Sequence, residues 1–487
     1  MMKIYFSDFF DVDPVLLDAH GAFNVSLIND LPVFIDPFLL FNSEKPEYRA
    51  LHDEIIRYIR FLRDVSNSGR VNVGLLNSWY RFPEVKQNWL GYSKVGNKGS
   101  GLGPAFAAAL NENLNSLFND FGNEQITKGS HLEKLCLIKD KVGKDNISDF
   151  TTNLVKGFLC RYTQEFAQAH IDHARLKRVP VRHIAFNYET RNWTTEHFTL
   201  PFIDGDYVLL TPKEILTKDD AWINKHDLIG DFEEIASSVP NEELRAQIND
   251  YFQRMLPDDA NRKETDAAVI STVRRFPALI DYYIRFKEEH GDDAKALSEE
   301  RVQETERVFI DQVGQLSRQL ATLTQFYSQP GDSYQDAYDR VMFLKQVIED
   351  NDGYRIFYID GKPVKREADL QVMFKLTWYA SDFSVDREVN NGRGPVDYKI
   401  SRGSKDSTLV EFKLASNSKL KRNLENQVEV YKAANRTEKA IKVIMCFSES
   451  EISKVSRILN DLSLTGDPNV VVIDADAGNK TSASNVG

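Results

Sequence analysis

The sequence predicts a two-part chain: an α+β N-terminal region that is mostly helical, then an α/β C-terminal domain whose mixed sheet is flanked by helices. Three observations carry this. The chain has 487 residues, more than one hydrophobic core ordinarily serves. Apolar residues recur at helical spacing through most of 105–345, whereas strand-like runs alternate with helical ones after residue 355. Charge is also divided. Residues 361–450 hold 17 Lys and Arg against 12 Asp and Glu, a balance of +5 inside a chain of net charge −12, which leaves −17 elsewhere. These observations divide the chain into a mixed α/β region (1–104), a mostly helical region suited to sensing or regulation (105–345), the α/β domain (346–475) and a disordered tail (476–487) rich in Ser, Asn, Gly and Ala.

Bulk composition narrows the class. With 42% apolar and 28% charged residues the chain reads as soluble and globular. Its three cysteines (Cys136, Cys160, Cys446) are too few for a disulfide framework or a four-thiolate metal site, and they suit a reducing cytoplasm. The first residues have no signal-peptide core, and no run approaches the ~18 apolar residues of a membrane span, so no membrane partner is expected.

In the N-terminal region Phe23–Ile28 and Leu31–Ile35 read as strands, and Leu51–Leu62 as an amphipathic helix. The Gly-rich stretch 96–104 lacks the Lys-Ser/Thr of a phosphate loop and reads as a flexible connector into a helix over 105–118. The pattern stays helical to about 180. His183–Asn187 and Tyr207–Thr211 read as strands, and Pro212 opens a further helix. Phe309, Val313, Leu316, Leu320 and Leu323 form a heptad seam of about two heptads, which favours a core-facing helix over a coiled coil. Homo-oligomerisation through the 300–326 helix is the alternative. Beyond 355 the order is strand, helix (364–379), three strands (384–389, 396–401, 407–414), helix (420–434), strand (442–446), helix, strand.

Chemistry concentrates in that last domain. Glu411 and Lys413 are two apart on one strand, so both leave the same face while Phe412 packs inward. Asp397, in the preceding strand after a Gly-Pro turn, is placed to lie beside Glu411. Such a carboxylate pair suits Mg2+ through oxygen ligands, with Lys413 near the attacking hydroxide and the anionic phosphorane. Gln427 and Tyr431 share one helix face. The amide of Gln427 suits orienting the lysine or a water, and the hydroxyl of Tyr431 suits a phosphate oxygen. Glu367, early in the first helix, adds a further carboxylate. Lys419, Lys421 and Arg422 crowd the start of the second helix, and Arg393 precedes Asp397, a set suited to tracking a phosphate backbone. Elsewhere, His170-x-x-His173 with Asp172 and His183 has metal-ligand spacing on a helix but no third ligand at firm spacing, and Trp79-Tyr80-Arg81 reads as a core aromatic cluster.

An acid on a helix, then Asp, Glu-x-Lys and Gln-x-x-x-Tyr resembles the PD-(D/E)xK nuclease superfamily, more closely its RecB-like branch, over roughly residues 355–475. The resemblance implies a restriction-endonuclease-like fold and metal-dependent hydrolysis of phosphodiester bonds, with Mg2+ as cofactor and Mn2+ as substitute. It implies Asp397, Glu411, Lys413, Gln427 and Tyr431 as catalytic residues, Glu367, Asp397 and Glu411 as metal ligands, and nucleic acid, DNA first, as partner. Two departures stand out. The first-helix position, often His in that branch, is Glu367, and one cysteine in the module excludes an iron–sulfur staple. Large unclassified regions joined to such domains resemble effectors of bacterial restriction and anti-phage defence, which implies a phage-derived or small-molecule trigger. The competing expectation is a catalytically inactive nuclease fold that binds nucleic acid or acts as a scaffold.

Overall fold

The computed structural model describes residues 3–91, 102–116, 118, 121–137, 144–218, 221–257, 260–315, 332–350, 354, 357–359, 362–363, 367, 370–371, 374, 378, 383–390, 395–402, 406–425 and 439–479. Among the described residues the helices of a dozen residues or more are α1 (Pro46–Asn67), α2 (Pro104–Ser116), α3 (Lys144–His170), α4 (Glu242–Met255), α5 (Arg262–Arg275), α6 (Ala278–Glu289), α7 (Gly291–Glu306), α8 (Ser333–Asp350) and α9 (Glu449–Asp461). The strands are β1 (Phe34–Ile35), β2 (Leu176–Asn187), β3 (Asn192–Ile203), β4 (Asp206–Tyr207), β5 (Leu216–Thr217), β6 (Tyr358–Ile359), β7 (Lys362–Pro363), β8 (Ser384–Asn390), β9 (Pro395–Arg402), β10 (Asp406–Leu414), β11 (Ala440–Cys446) and β12 (Val470–Asp474).

Local chemistry sets these boundaries. Pro46 starts α1 with its backbone already helical, and Ile55, Tyr58, Ile59 and Leu62 then form a buried stripe. Asn261 and Glu264 close a capping box at α5, and Ser448 caps α9 by accepting from Glu451 N. Among the described residues no helix is long and apolar enough to cross a membrane.

Several expected elements of the N-terminal region take another form. Phe23–Ile28 forms no ladder beyond one bridge from Tyr5 to Ser26. Polar side chains compete for the backbone there: Asn24 Oδ1 accepts from Ser7 N, and Ser26 Oγ accepts from Ile28 N and Asn29 N. The expected strand at 31–35 shortens to β1, which pairs with β5. The expected helix after Pro212 is a single 3-10 turn, Lys213–Ile215, ended by that pairing. β2 begins at Leu176, inside the stretch expected to be helical, and pairs with β3, which the sequence pattern did not reveal. Phe309 and Val313 are fully buried, and Tyr5 donates its hydroxyl to Phe309 O at 2.5 Å, so the described part of the heptad seam packs within its own chain. Leu316, Leu320 and Leu323 lie outside the described residues.

The C-terminal sheet is mixed, in the order β12-β11-β10-β9-β8. β10, β11 and β12 run parallel, with α9 as the β11–β12 crossover, while β9 and β8 pair antiparallel to their neighbours. One face, with Tyr398, Val410, Phe412, Val443 and Met445, joins the main core. The other, with Ala415, Leu420, Ile444 and Cys446, packs on Val455 and Leu459 of α9. β6 and β7 form a small hairpin in place of one expected strand. α8, which begins before the expected start at 346, packs on this sheet. Ser333 is bonded to Asp406 and Thr408, Lys345 donates to Val472 O, and the Arg340 guanidinium lies 4.2 Å over the Trp378 ring. Part of the expected tail is ordered: Ala477–Asn479 forms a 3-10 turn, and Ala477 N donates to the Tyr358 hydroxyl.

Asp36, fully buried, caps the short helix Pro37–Phe41 by accepting from Phe38 N, and it also accepts from Trp222 N. Glu133 lies close beside it, and neither of the buried Glu133 oxygens has a partner in hydrogen-bonding geometry. Two neighbouring carboxyls removed from water disfavour ionisation of both. Burial drives Asp36 up to about 6 and Glu133 well above the ordinary range. Raised carboxyl pKa values mean that the folded state binds protons more tightly than the unfolded one, so this pair favours folding at low pH and loses that contribution as pH rises through about 6. Glu133→Gln supplies a permanent donor. The variant should melt above wild type at about pH 8 and converge with it near about pH 4, as read by circular dichroism.

Candidate active site

The site grows out of strand parity. On β10 the row Leu409-Glu411-Lys413 faces away from the Val410-Phe412-Leu414 row that enters the main core. Glu411 and Lys413 therefore emerge on the α9 side of the sheet, close to its carboxyl end. Lys413 Nζ lies 3.3 Å from Glu411 Oε1 and 3.3 Å from Glu367 Oε2, with all three side chains largely removed from water.

Glu367 reaches this point from the opposite layer. Glu367, Leu370, Gln371 and Phe374 are helical, and their 3-, 4- and 7-residue spacing places them on one helix face. Leu370 and Phe374 are buried; the Phe374 ring stands 4.8 Å from Phe412 and 5.6 Å from Tyr398. The Tyr398 hydroxyl donates to Gln371 O, fastening the helix to β9. Glu367 Oε1 then accepts from Asn417 Nδ2 at 2.9 Å and from Leu414 N at 3.3 Å. Asn417 is itself fixed: its Oδ1 accepts from Lys419 N, and Lys454 of α9 donates to the carbonyls of Ala415 and Asn417.

Burial pushes the pKa of Glu411 up; Lys413 and Lys442 pull it down, and Glu367 adds to the rise. Lys442 is the register partner of Glu411 on β11, and its Nζ donates to Leu424 O. On the other side Val410 pairs with Tyr398, and one further step in that register sets the Asp397 backbone opposite Glu411. The β8–β9 register, with Arg387 opposite Tyr398 and Val389 opposite Val396, likewise brings Glu388 to the Asp397 position. One transverse row of the sheet thus reads Glu388, Asp397, Glu411, Lys442. The side chains of Glu388 and Asp397 are outside the described atoms, and so are Arg393, Gln427 and Tyr431 altogether.

Of the expected phosphate-tracking residues, Lys419 and Arg422 are exposed. Lys421 is tied to Asp461 of α9 at 2.7 Å. The histidine pair separates: His170 ends α3, whereas His173 opens a distinct 3-10 turn capped by Asp172. His183 lies in the irregularity of β2, with positive φ. Trp79 and Tyr80 are buried as expected. Among the described residues no group of three or more His, Cys, Asp or Glu side chains is assembled as a metal cage. Glu367 and Glu411 supply two carboxylates, and their mutual repulsion is relieved by the ammonium between them. That excess of buried oxygen charge fits a hard divalent cation. Asn417 was expected in the phosphate-tracking patch at the helix entry rather than as a partner of Glu367, and Lys442 and Glu388 escaped sequence reading because they enter the row through sheet register.

Residues 11–224 match the family described as a domain of unknown function, DUF8370, and residues 333–449 match that described as a domain of unknown function, DUF8371. The second match opens at the first residue of α8. No curated protein and no solved structure matches the chain.

Lys413→Ala leaves two buried acids with no cation between them and should cost about 3 kcal/mol of stability near neutral pH, the scale for breaking a buried ion pair. Urea melts check this. The loss should shrink as pH falls through the raised Glu411 pKa, because a neutral Glu411 needs no partner.

Proposed function

We propose that this chain is a divalent-metal-dependent nuclease that hydrolyses phosphodiester bonds of DNA, with a restriction-endonuclease-like C-terminal module of the PD-(D/E)xK type, RecB-like branch. The observation that carries the reading is the Lys413 ammonium held 3.3 Å from both Glu411 and Glu367, with Asp397 at the adjoining register position. Glu367, Asp397 and Glu411 would hold the metal, Mg2+ with Mn2+ as substitute, which when bound lowers the pKa of a coordinated water and neutralises charge on the phosphate. Glu411, its pKa raised by burial, gives up any proton it holds to accept a cation. Lys413 is then the chain's own donor to the oxygen charge that develops at phosphorus. Asn417 holds Glu367 in place and acts as a positioning residue. By resemblance, Gln427 orients the lysine or the water and Tyr431 bonds a phosphate oxygen. Lys419 and Arg422 provide exposed cations for the backbone. By the same analogy the N-terminal regions sense a phage-derived or small-molecule trigger in a defence system.

The test is a cleavage panel on linear duplex, circular duplex, single-stranded DNA and RNA, with Mg2+, Mn2+ or EDTA. Because Lys413 also holds two acids together, Asp397→Asn is the cleaner inactivating variant. It should lower the cleavage rate by more than the ~10–100-fold typical of outer-shell losses, while Asn417→Ala should fall within that range. A panel with no cleavage under any metal, alongside metal-independent nucleic-acid binding, would instead establish the binding-only reading.

A further inference from the structure

The β2–β3 hairpin presents a face that the carboxylate–lysine site does not use. Val179, Val181 and Ile184 of β2 and Phe198 and Leu200 of β3 are buried on its inner side. The outer side is exposed and reads, by cross-strand pair, Arg178 with Thr199, Pro180 with His197 and Arg182 with Thr195. Residues 175–199 hold five Lys and Arg (Arg175, Lys177, Arg178, Arg182, Arg191) against two acids (Glu189, Glu196), a balance of +3 inside a chain of −12. Neither acid opposes the outer face: Glu189 lies in the connecting turn, and Glu196 pairs with buried Val181 on the inner side. Arg175 is already committed to Asp11 and Phe9 O, and Lys177 rests 4.2 Å over the Phe202 ring. Among the described residues Arg178 and Arg182 meet no carboxylate.

The hairpin is also held stiffly. The helix α3 backs it, Gln164 Oε1 accepts from Thr199 N at 2.7 Å, and Gly157 approaches so closely that a Cβ there would meet Ile184 O at 3.0 Å. A guanidinium-bearing ribbon of this kind, pre-organised and unshared, complements a polyanion. Strand rise separates Arg178 and Arg182 by about 13 Å, with His197 across the midpoint. A two-stranded ribbon matches the ~12 Å width of the B-form major groove, whereas the deep, narrow major groove of A-form RNA does not admit one.

We propose that the outer face of the β2–β3 hairpin is a docking surface for duplex DNA, with Arg178 and Arg182 as its principal contacts. This surface stands independently of the cleavage reading. Its test is fluorescence anisotropy of a short labelled DNA duplex with the full chain in EDTA, so that a chain that cuts nothing still answers. Arg178→Ala/Arg182→Ala should bind about tenfold more weakly or worse, and its slope of log affinity against log salt should be shallower by about 1.8. Arg178→Lys/Arg182→Lys, which keeps the charges, should keep the slope. Unchanged affinity and slope in the alanine variant, with melting unaltered, would overturn the proposal. So would equal binding of duplex RNA, or a loss of binding that the lysine variant shares in full.

Discussion

The shared ammonium of Lys413 is the interaction on which the C-terminal architecture depends. Two carboxylates taken from water in one small space repel and lose hydration, and in a low-dielectric setting that combination persists only with a cation at close range. Three separate devices bring the partners within 3.3 Å. The parity of β10 sends Glu411 and Lys413 to one face, the aromatic contact of Phe374 with Phe412 seats the Glu367 helix, and Asn417 spans from the turn after β10 to Glu367. Lys454 of α9 then locks that turn by its carbonyls. Each device lies on a different element, so the site is a consequence of the whole module rather than of a loop.

Much of this module was legible in the sequence because its signals are local. Alternation of Val410, Phe412 and Leu414 with Glu411 and Lys413 fixes a strand and its two faces, and the strands β8 to β11 emerge within two residues of their expected limits. The turn signals near 350 fall after α8, whereas α8 is joined to the sheet through Ser333, Lys345 and Glu349, contacts that only folding reveals. In the N-terminal region local preference and tertiary context part company. Val25 and Leu27 have strand-like composition, yet Asn24 and Ser26 satisfy neighbouring backbone groups themselves. β3 carries Glu196, His197 and Pro201, residues that weaken a strand signature, and it is ordered by its pairing with β2 and by α3. Lys442 carries no motif and matters through register, and Asn417, expected at a phosphate-tracking helix entry, matters through its side-chain bond to Glu367.

The two ends of the chain distribute charge in complementary ways. The N-terminal half buries acids, and burial holds the neighbouring Asp36 and Glu133 carboxyls toward their neutral forms. It also exposes Arg178 and Arg182 on the outer face of the β2–β3 hairpin. The C-terminal module encloses its acids beside lysines at one end of a sheet. On the docking proposal, arginines on that ribbon direct polyanion contact to one surface of an otherwise acidic chain. Folding alone does not require the carboxylate cluster, since apolar side chains of similar volume would avoid the desolvation cost, and sites that break local packing preference in this way are those a function maintains.

The central claim, that Glu367, Asp397 and Glu411 form a site for a hard divalent cation beside Lys413, is tested most directly by calorimetric titration of Mn2+ into the full chain. Runs in buffers of different ionisation enthalpy report proton release. The account predicts saturable binding that tightens as pH rises through the elevated Glu411 pKa, releases protons, and is abolished by Asp397→Asn and by Glu411→Gln. Absence of binding, or binding of equal strength in both variants with no proton release, would contradict it.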